Sequence, residues 1–164
     1  MHILLEPASR VAGLLIATGG TLAVAESSAG GLISAALLAV PGASAYFRGG
    51  SVIYTLQSRM AFGITPQDMQ GLRSSSPPYA RMLAERARLR LDTTWGLAET
   101  GAAGPSGNRY GDPAGHACLA VAGPVECSQL LATGSADRIA NMREFSLAAL
   151  ALLEDALRRK QARG

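Results

Sequence analysis

The chain has 164 residues, enough for one domain with a proper core and cramped for two. Hydrophobic residues make up 48% and charged residues 16%, which excludes a disordered chain and a coiled coil. The net charge of +3 gives little reason to expect a nucleic-acid partner. Much of the basic excess lies in the tail Arg158-Arg159-Lys160-Gln161-Ala162-Arg163, where a helix C-terminus favours positive charge.

Aromatic residues are only 5%, so the core has to be built from aliphatic side chains and alanine. The two cysteines, Cys118 and Cys127, lie in apolar stretches and provide neither a disulfide framework nor a cysteine metal site. Buried thiols and a cytoplasmic setting are the expectation. Val11 to Ala25 is uncharged and ends in small residues like a leader peptide. Glu6 stands where a leader would be basic, however, and Gly19-Gly20 interrupts the run before it is long enough to cross a membrane.

The spacing predicts a helix over Pro7 to Thr18, with Pro7 early in it and Gly19 as its stop. A short apolar strand follows at Thr21 to Ala25, then a turn through Glu26-Ser27-Ser28-Ala29-Gly30-Gly31 into a helix at Leu32 to Val40. Pro41-Gly42 ends that helix. Ser51 to Thr55 alternates like a strand, and Leu56 to Phe62 reads as a short helix. Gly63 to Ser76 is a polar loop, and Pro77 to Leu91 is a helix with an arginine-rich outer face. Thr94 to Ala98 is a strand, and the glycine- and proline-rich segment Gly101 to Gly115 is a shaped loop. His116 to Val121 and Cys127 to Thr133 form a strand pair around Gly123-Pro124, and Asp137 to Arg159 is a long last helix. Helices alternating with strands, closed by a strand pair, predict a single-domain α/β sandwich over residues 1–164 with a central mixed sheet.

Three stretches could carry chemistry. Residues 25–31 turn from a strand into a helix through small side chains. Such a turn aims backbone N–H groups at a phosphate or carboxylate, unless Ser27 or Ser28 is simply a helix cap. The lysine and spacing of a Walker loop are absent. Ser44, after a tight turn, is a nucleophile only if a base can take its proton, and is otherwise a turn serine. Gly101 to Gly115 either covers a substrate or merely connects two strands. His2 and His116 are far apart, and nothing in the spacing argues for a metal site. A triad would need His116 with Asp112 or Asp137, and spacing gives no support for it.

The pieces Ala25-Glu26-Ser27 with Gly30-Gly31, Pro41 to Phe47, Gly49 to Thr55, Gly101 to Gly107 and Pro113-Ala114-Gly115, in this order, resemble the CinA C-terminal domain family. That family includes the nicotinamide mononucleotide deamidases. The resemblance runs from about residue 5 to residue 155. It implies an α/β sandwich that is usually oligomeric and uses no metal or organic cofactor. It also implies hydrolysis of nicotinamide mononucleotide to the nicotinate form and ammonia, so the expected partner is a small nucleotide-like molecule rather than nucleic acid or a membrane. By position, Ser44 matches the nucleophile and Tyr54 its assisting tyrosine. Ser27, Ser28, Gly30 and Gly31 match the loop that holds substrate, and Ala103, Gly104 and Pro105 a second wall.

The chain departs from that pattern in three places. Arg59 stands where the family has a catalytic lysine. A desolvated lysine can lose its proton and act as a base, whereas an arginine keeps its charge and cannot. Losing such a base costs roughly 10²–10⁴-fold in rate. A non-catalytic domain that binds a nucleotide-like ligand or a partner protein is therefore the alternative to an amidase. Tyr54 as phenolate, or His116, are candidate replacements for the base. The family's Gly-Asp-Arg reads Gly134-Ser135-Ala136 here, which leaves Arg138 and Arg143 as candidates for recognising a phosphate. The usual Cys-Thr after the motif serine is Ser28-Ala29.

Overall fold

A computed structural model describes residues 1–163. In chain order it contains α1 (His2–Thr18), β1 (Leu22–Glu26), α2 (Leu32–Leu38), β2 (Phe47–Val52), α3 (Leu56–Ala61), α4 (Pro77–Arg90), β3 (Trp95–Ala102), β4 (His116–Ala122), β5 (Cys127–Ala132) and α5 (Arg138–Gln161). The sheet order is β2-β1-β3-β4-β5. β1 lies parallel to both β2 and β3, and the remaining pairs are antiparallel. This is the mixed α/β sheet that the alternating elements predict.

The two faces of the sheet differ because β1 alternates. Leu22 and Val24 point into a core of large side chains shared with α1, α2 and α5, including Leu4, Leu15, Ile33, Tyr46, Phe145 and Leu153. Ala23 and Ala25 point the other way, into an alanine-rich layer under α4. Small side chains there let α4 come very close. A Cβ added to Gly96 of β3 would collide with the carbonyl oxygen of Ala84 in α4. The scarcity of aromatic residues is thus matched by an interlayer thinner on the α4 side than large residues would allow.

Several boundaries differ from expectation: α2 stops at Leu38 rather than Val40, β3 runs on to Ala102 rather than ending at Ala98, and α1 and β2 shift the most. α1 begins at His2, so Pro7 is inside the helix rather than at its start. Leu4 is fully buried against the core, and that burial recruits the extra turn. The missing proline N–H would have met the carbonyl of the exposed Ile3, which water can satisfy. β2 covers residues 47–52 instead of 51–55. Its Gly49-Gly50 pair hides the strand from any propensity argument, and parallel pairing with β1 imposes it. None of the described helices is long and apolar enough to cross a membrane.

The topology decides where chemistry can occur. The C-terminal ends of the parallel strands β1, β2 and β3 all open at one edge, the usual place for a ligand cleft in such sheets. Ser27, Ile53-Tyr54 and Thr100-Gly101 come together there.

Candidate functional site

Two adjoining cavities occupy that edge. One, of about 590 Å³, is lined by Ser27, Tyr54, Arg59, Ser74, Tyr79 and Arg109 among others. The other, of about 230 Å³, is lined by Ser28, Ala103, Gly104, Ser106 and Arg138 among others. Tyr54, Gly101 and Asn108 belong to both walls, so the cavities form one cleft. None of the described residues lining it is acidic, and three are arginines.

Each wall has a local cause. Asp137 caps α5 by accepting from the N–H of Ala140, which starts the helix beside the loop after β3. Asn141, buried one turn in, donates to the carbonyls of Ala103 and Ser135, both at 2.8 Å. Arg138 donates to the carbonyl of Gly104 at 2.6 Å and to the hydroxyl of Tyr54 at 3.2 Å. The first turn of α5 therefore shapes the Ala103-Gly104 wall and aims a guanidinium into the small cavity. Arg143 is exposed and lines neither cavity.

On the other side, Arg73 holds Asp112 with two bonds, at 2.5 and 3.0 Å, and Asn108 adds a third at 2.8 Å. The Arg73 guanidinium is the main reason the Asp112 carboxyl titrates below its usual range. This clamp pins the 107–112 loop over the cleft. Arg59 donates to Ser74 Oγ at 2.5 Å and sits 5.4 Å from the centroid of the Tyr79 ring, while its buried Nε has no partner. The hydrogen bond between Ser74 and the Tyr110 phenol holds that phenol below its ordinary pKa against the opposing effect of burial, with Arg109 and Arg59 adding to the depression. Burial pushes Tyr79 up, and Arg59 partly offsets it. Ser74, Ser75 and Tyr79 are lining residues that sequence reasoning missed, whereas Asn108, Arg109 and Tyr110 belong to the Gly101 to Gly115 stretch read as either a substrate cover or a connection. Ser74 and Ser75 fall in a stretch that reads only as a polar loop, with no motif to single them out.

The glycine-turn reading is corrected by the hydrogen bonds. The N–H groups expected to hold an external anion already hold two of the protein's own carboxylates. Glu26 accepts from the N–H groups of Gly31, Ile33 and Ser34 and from the Ser34 hydroxyl. Glu99 accepts from the N–H groups of Ser27 and Ala29 and from the Ser28 hydroxyl. Both glutamates are fully buried. Gly30 and Gly31 line neither cavity. A Cβ on Gly30 would meet Met142 of α5, and one on Gly31 would touch Val52. These glycines serve positive-φ turns and close packing rather than ligand access.

Ser44 is also displaced from its expected company. It sits in a short 3-10 turn, Ala43–Ala45, ahead of β2, whereas Tyr54 follows the far end of that strand. A six-residue strand separates them by roughly 20 Å at about 3.3 Å per residue. Ser44 is exposed, its carbonyl accepts from Arg48, and it lines neither cavity. The serines that do reach the cleft are Ser27, Ser28, Ser74, Ser75 and Ser106. Pro105 does not line either cavity. His116, proposed above as a stand-in base, is buried, and its Nε2 lies 2.9 Å from the carbonyl of Ser75. A carbonyl can only accept, so Nε2 carries the proton and points away from a base role. Burial pushes the neighbouring Cys118 thiol to about 11, which leaves it inert.

Glu99 also leaves a mark on stability. Burial, and then the nearby Glu26, push its pKa up, while its three hydrogen bonds oppose them. A raised folded-state pKa means the folded chain holds more protons than the unfolded one. The stabilisation Glu99 provides is therefore full at acid pH and is lost as pH rises through its folded pKa. We expect the melting temperature of Glu99→Gln to gain on the wild type as pH rises from about 4 toward neutrality. Thermal unfolding of both across that range checks it; a constant gap would contradict the raised pKa.

With this geometry in hand, a family model, the CinA C-terminal domain, matches residues 5–157. The chain belongs to the CinA C-terminal domain family. A CinA-like protein of Gloeobacter violaceus is 47% identical over 120 residues, covering 73% of this chain and 28% of that protein. A CinA-like protein of Desulfosudis oleivorans is 37% identical over 155 residues, covering 93% of this chain and 36% of that protein. This CinA domain thus spans only about a third of the length of such relatives. Among solved structures, a CinA superfamily protein from Klebsiella pneumoniae superposes with a TM-score of 0.88 at 26% identity, covering 95% of this chain and 98% of that one. The competence-damaged protein (CinA) superfamily protein from Escherichia coli does so with a TM-score of 0.85 at 27% identity, covering 92% and 89%.

Proposed function

We propose that this CinA domain binds an anionic nucleotide of the nicotinamide mononucleotide type in the joined cavities and hydrolyses its carboxamide to carboxylate and ammonia. The observation that carries this reading is a cleft with three guanidinium groups, tyrosine rings and no acidic lining. Guanidinium groups bind phosphate with paired, charge-assisted hydrogen bonds. Exposed Tyr54 and Tyr110 offer faces for an aromatic ring. The cavity volume lies within the range of small-molecule sites. Serine hydroxyls at the same edge supply the nucleophile that an amide needs.

A second reading is favoured by Arg59. A fixed cation stabilises developing negative charge but takes no proton. In that reading the domain binds the nucleotide without turning it over. Ammonia release from nicotinamide mononucleotide, measured beside calorimetric binding, separates the two. Turnover by the wild type supports the amidase. Binding without turnover, with ammonia appearing only in Arg59→Lys, supports the ligand-binding domain. Absence of binding overturns both.

A further inference from the structure

We propose that the cleft selects a flat-ringed nucleotide with an anion at each end, and so holds the carboxylate form of a pyridine mononucleotide more tightly than the carboxamide. The proposal rests on the nucleotide-binding reading of the cleft and names the form that it prefers. The positive groups are divided between the two cavities. Arg138 lines only the small one, whereas Arg59 and Arg109 line only the large one. Tyr54 belongs to both walls, with the Arg138 guanidinium 6.0 Å from its ring centroid. The cleft thus presents a cation, an aromatic face and a second cationic group. A ligand that matches it carries an anion, a flat ring and a second anion.

None of these three arginines makes an ion pair among the described residues, whereas Arg73, which lines neither cavity, is neutralised by Asp112. Their charge is left for a ligand. Of the two in the large cavity, Arg59 is the fixed one. It is half-buried, it donates through Nη2 to Ser74 Oγ, and its guanidinium lies 5.4 Å from the Tyr79 ring centroid. Its Nε is sealed from solvent. Nη1 makes no hydrogen bond among the described residues and is the donor left open to the cleft. Arg109 is exposed, and its guanidinium lies 6.0 Å from the Tyr110 ring centroid. A guanidinium held in place and partly desolvated binds an anion more strongly than one waving in water.

With the phosphate on Arg138, the substituent of the pyridine ring is left for Arg59. A carboxamide is neutral. Its oxygen can accept from Nη1, but its NH₂ only donates and finds no acceptor in a guanidinium. A carboxylate brings a full negative charge and two accepting oxygens. A lysine at this place could lose its proton and relax the demand for a second anion. Arginine keeps its charge, so the positive pole is permanent. Discrimination is a difference of two affinities, and here the neutral form is penalised because it leaves that pole unmatched.

The test is calorimetric titration of the full chain with nicotinate mononucleotide and with nicotinamide mononucleotide, for the wild type and Arg59→Gln. We expect the wild type to bind the carboxylate form about tenfold or more tightly than the carboxamide. In Arg59→Gln the carboxylate form should lose that advantage while the carboxamide changes little. Where the wild type hydrolyses the carboxamide, the comparison is read as inhibition of ammonia release by nicotinate mononucleotide, with Ki expected about tenfold or more below KM. Equal affinities, or tighter binding of the carboxamide, overturn the proposal and leave the nucleotide-binding reading standing. A preference for the carboxylate form that survives Arg59→Gln overturns it too, because another group then makes the selection. Should Arg59→Gln not fold, the wild-type ratio still decides, and Arg59→Lys, which keeps the charge without the fork, should retain part of it. Binding of neither nucleotide sinks the reading of the cleft itself.

Discussion

Replacing Glu26 by alanine is expected to destabilise the chain by about 3–5 kcal/mol, the largest stability loss we foresee for a single side chain at this edge. Glu26 is fully buried and serves four donors: Gly31 N at 2.9 Å, Ile33 N at 3.2 Å, Ser34 N at 3.0 Å and Ser34 Oγ at 2.6 Å. α2 is seven residues long, and its N-cap Gly31 makes no side-chain cap of its own. The glutamate five residues earlier is therefore its cap. Alanine would leave those donors without an acceptor, and a helix so short has little propensity to fall back on. Against a typical domain stability of about 5–15 kcal/mol, such a loss is a large part of the whole. Urea unfolding of Glu26→Ala, Glu26→Gln and wild type tests this. Glutamine should lose less, because it keeps one accepting oxygen. A loss below about 1 kcal/mol for alanine would show that water reaches those groups.

Arg138→Ala is expected to weaken binding of nicotinamide mononucleotide about 10- to 100-fold, with only a small fall in melting temperature. Arg138 is exposed, so its loss strands no buried charge. It does remove a charge-assisted donor from the small cavity and frees both the Gly104 carbonyl and the Tyr54 hydroxyl. The weakening should shrink as salt rises, because an exposed guanidinium is screened. Arg143→Ala, five residues along α5 and outside both linings, is the control and should bind as the wild type does. Equal effects of the two substitutions would mean that general basic charge, rather than Arg138's position, holds the anion.

The contrast between Arg138 and Arg143 shows what a linear reading could not resolve. Both are basic residues near the start of one helix. Asp137 as the cap sets the helix phase, and that phase turns Arg138 toward the loop after β3. The same holds for the serines. Motif position singles out Ser44, yet a parallel strand carries the chain away from it, leaving Tyr54 at the other end. Ser28 looks like an ordinary turn residue until β1 and β3 are paired. The register Ala25↔Ala98 then sets Glu26 and Glu99 side by side beneath the turn.

Periodicity, punctuation by glycine and proline, and capping residues were enough by themselves to establish an α/β chain with a mixed sheet, most of its element boundaries and its family resemblance. These are local signals, each read within a few residues, and the backbone answers to them directly. Only the folded sheet settled which groups meet. The anion expected in the glycine turn is the chain's own pair of glutamates, one of them contributed by a strand more than seventy residues away. Contacts of that range depend on strand order and register, which the packing of whole layers fixes and no local pattern encodes.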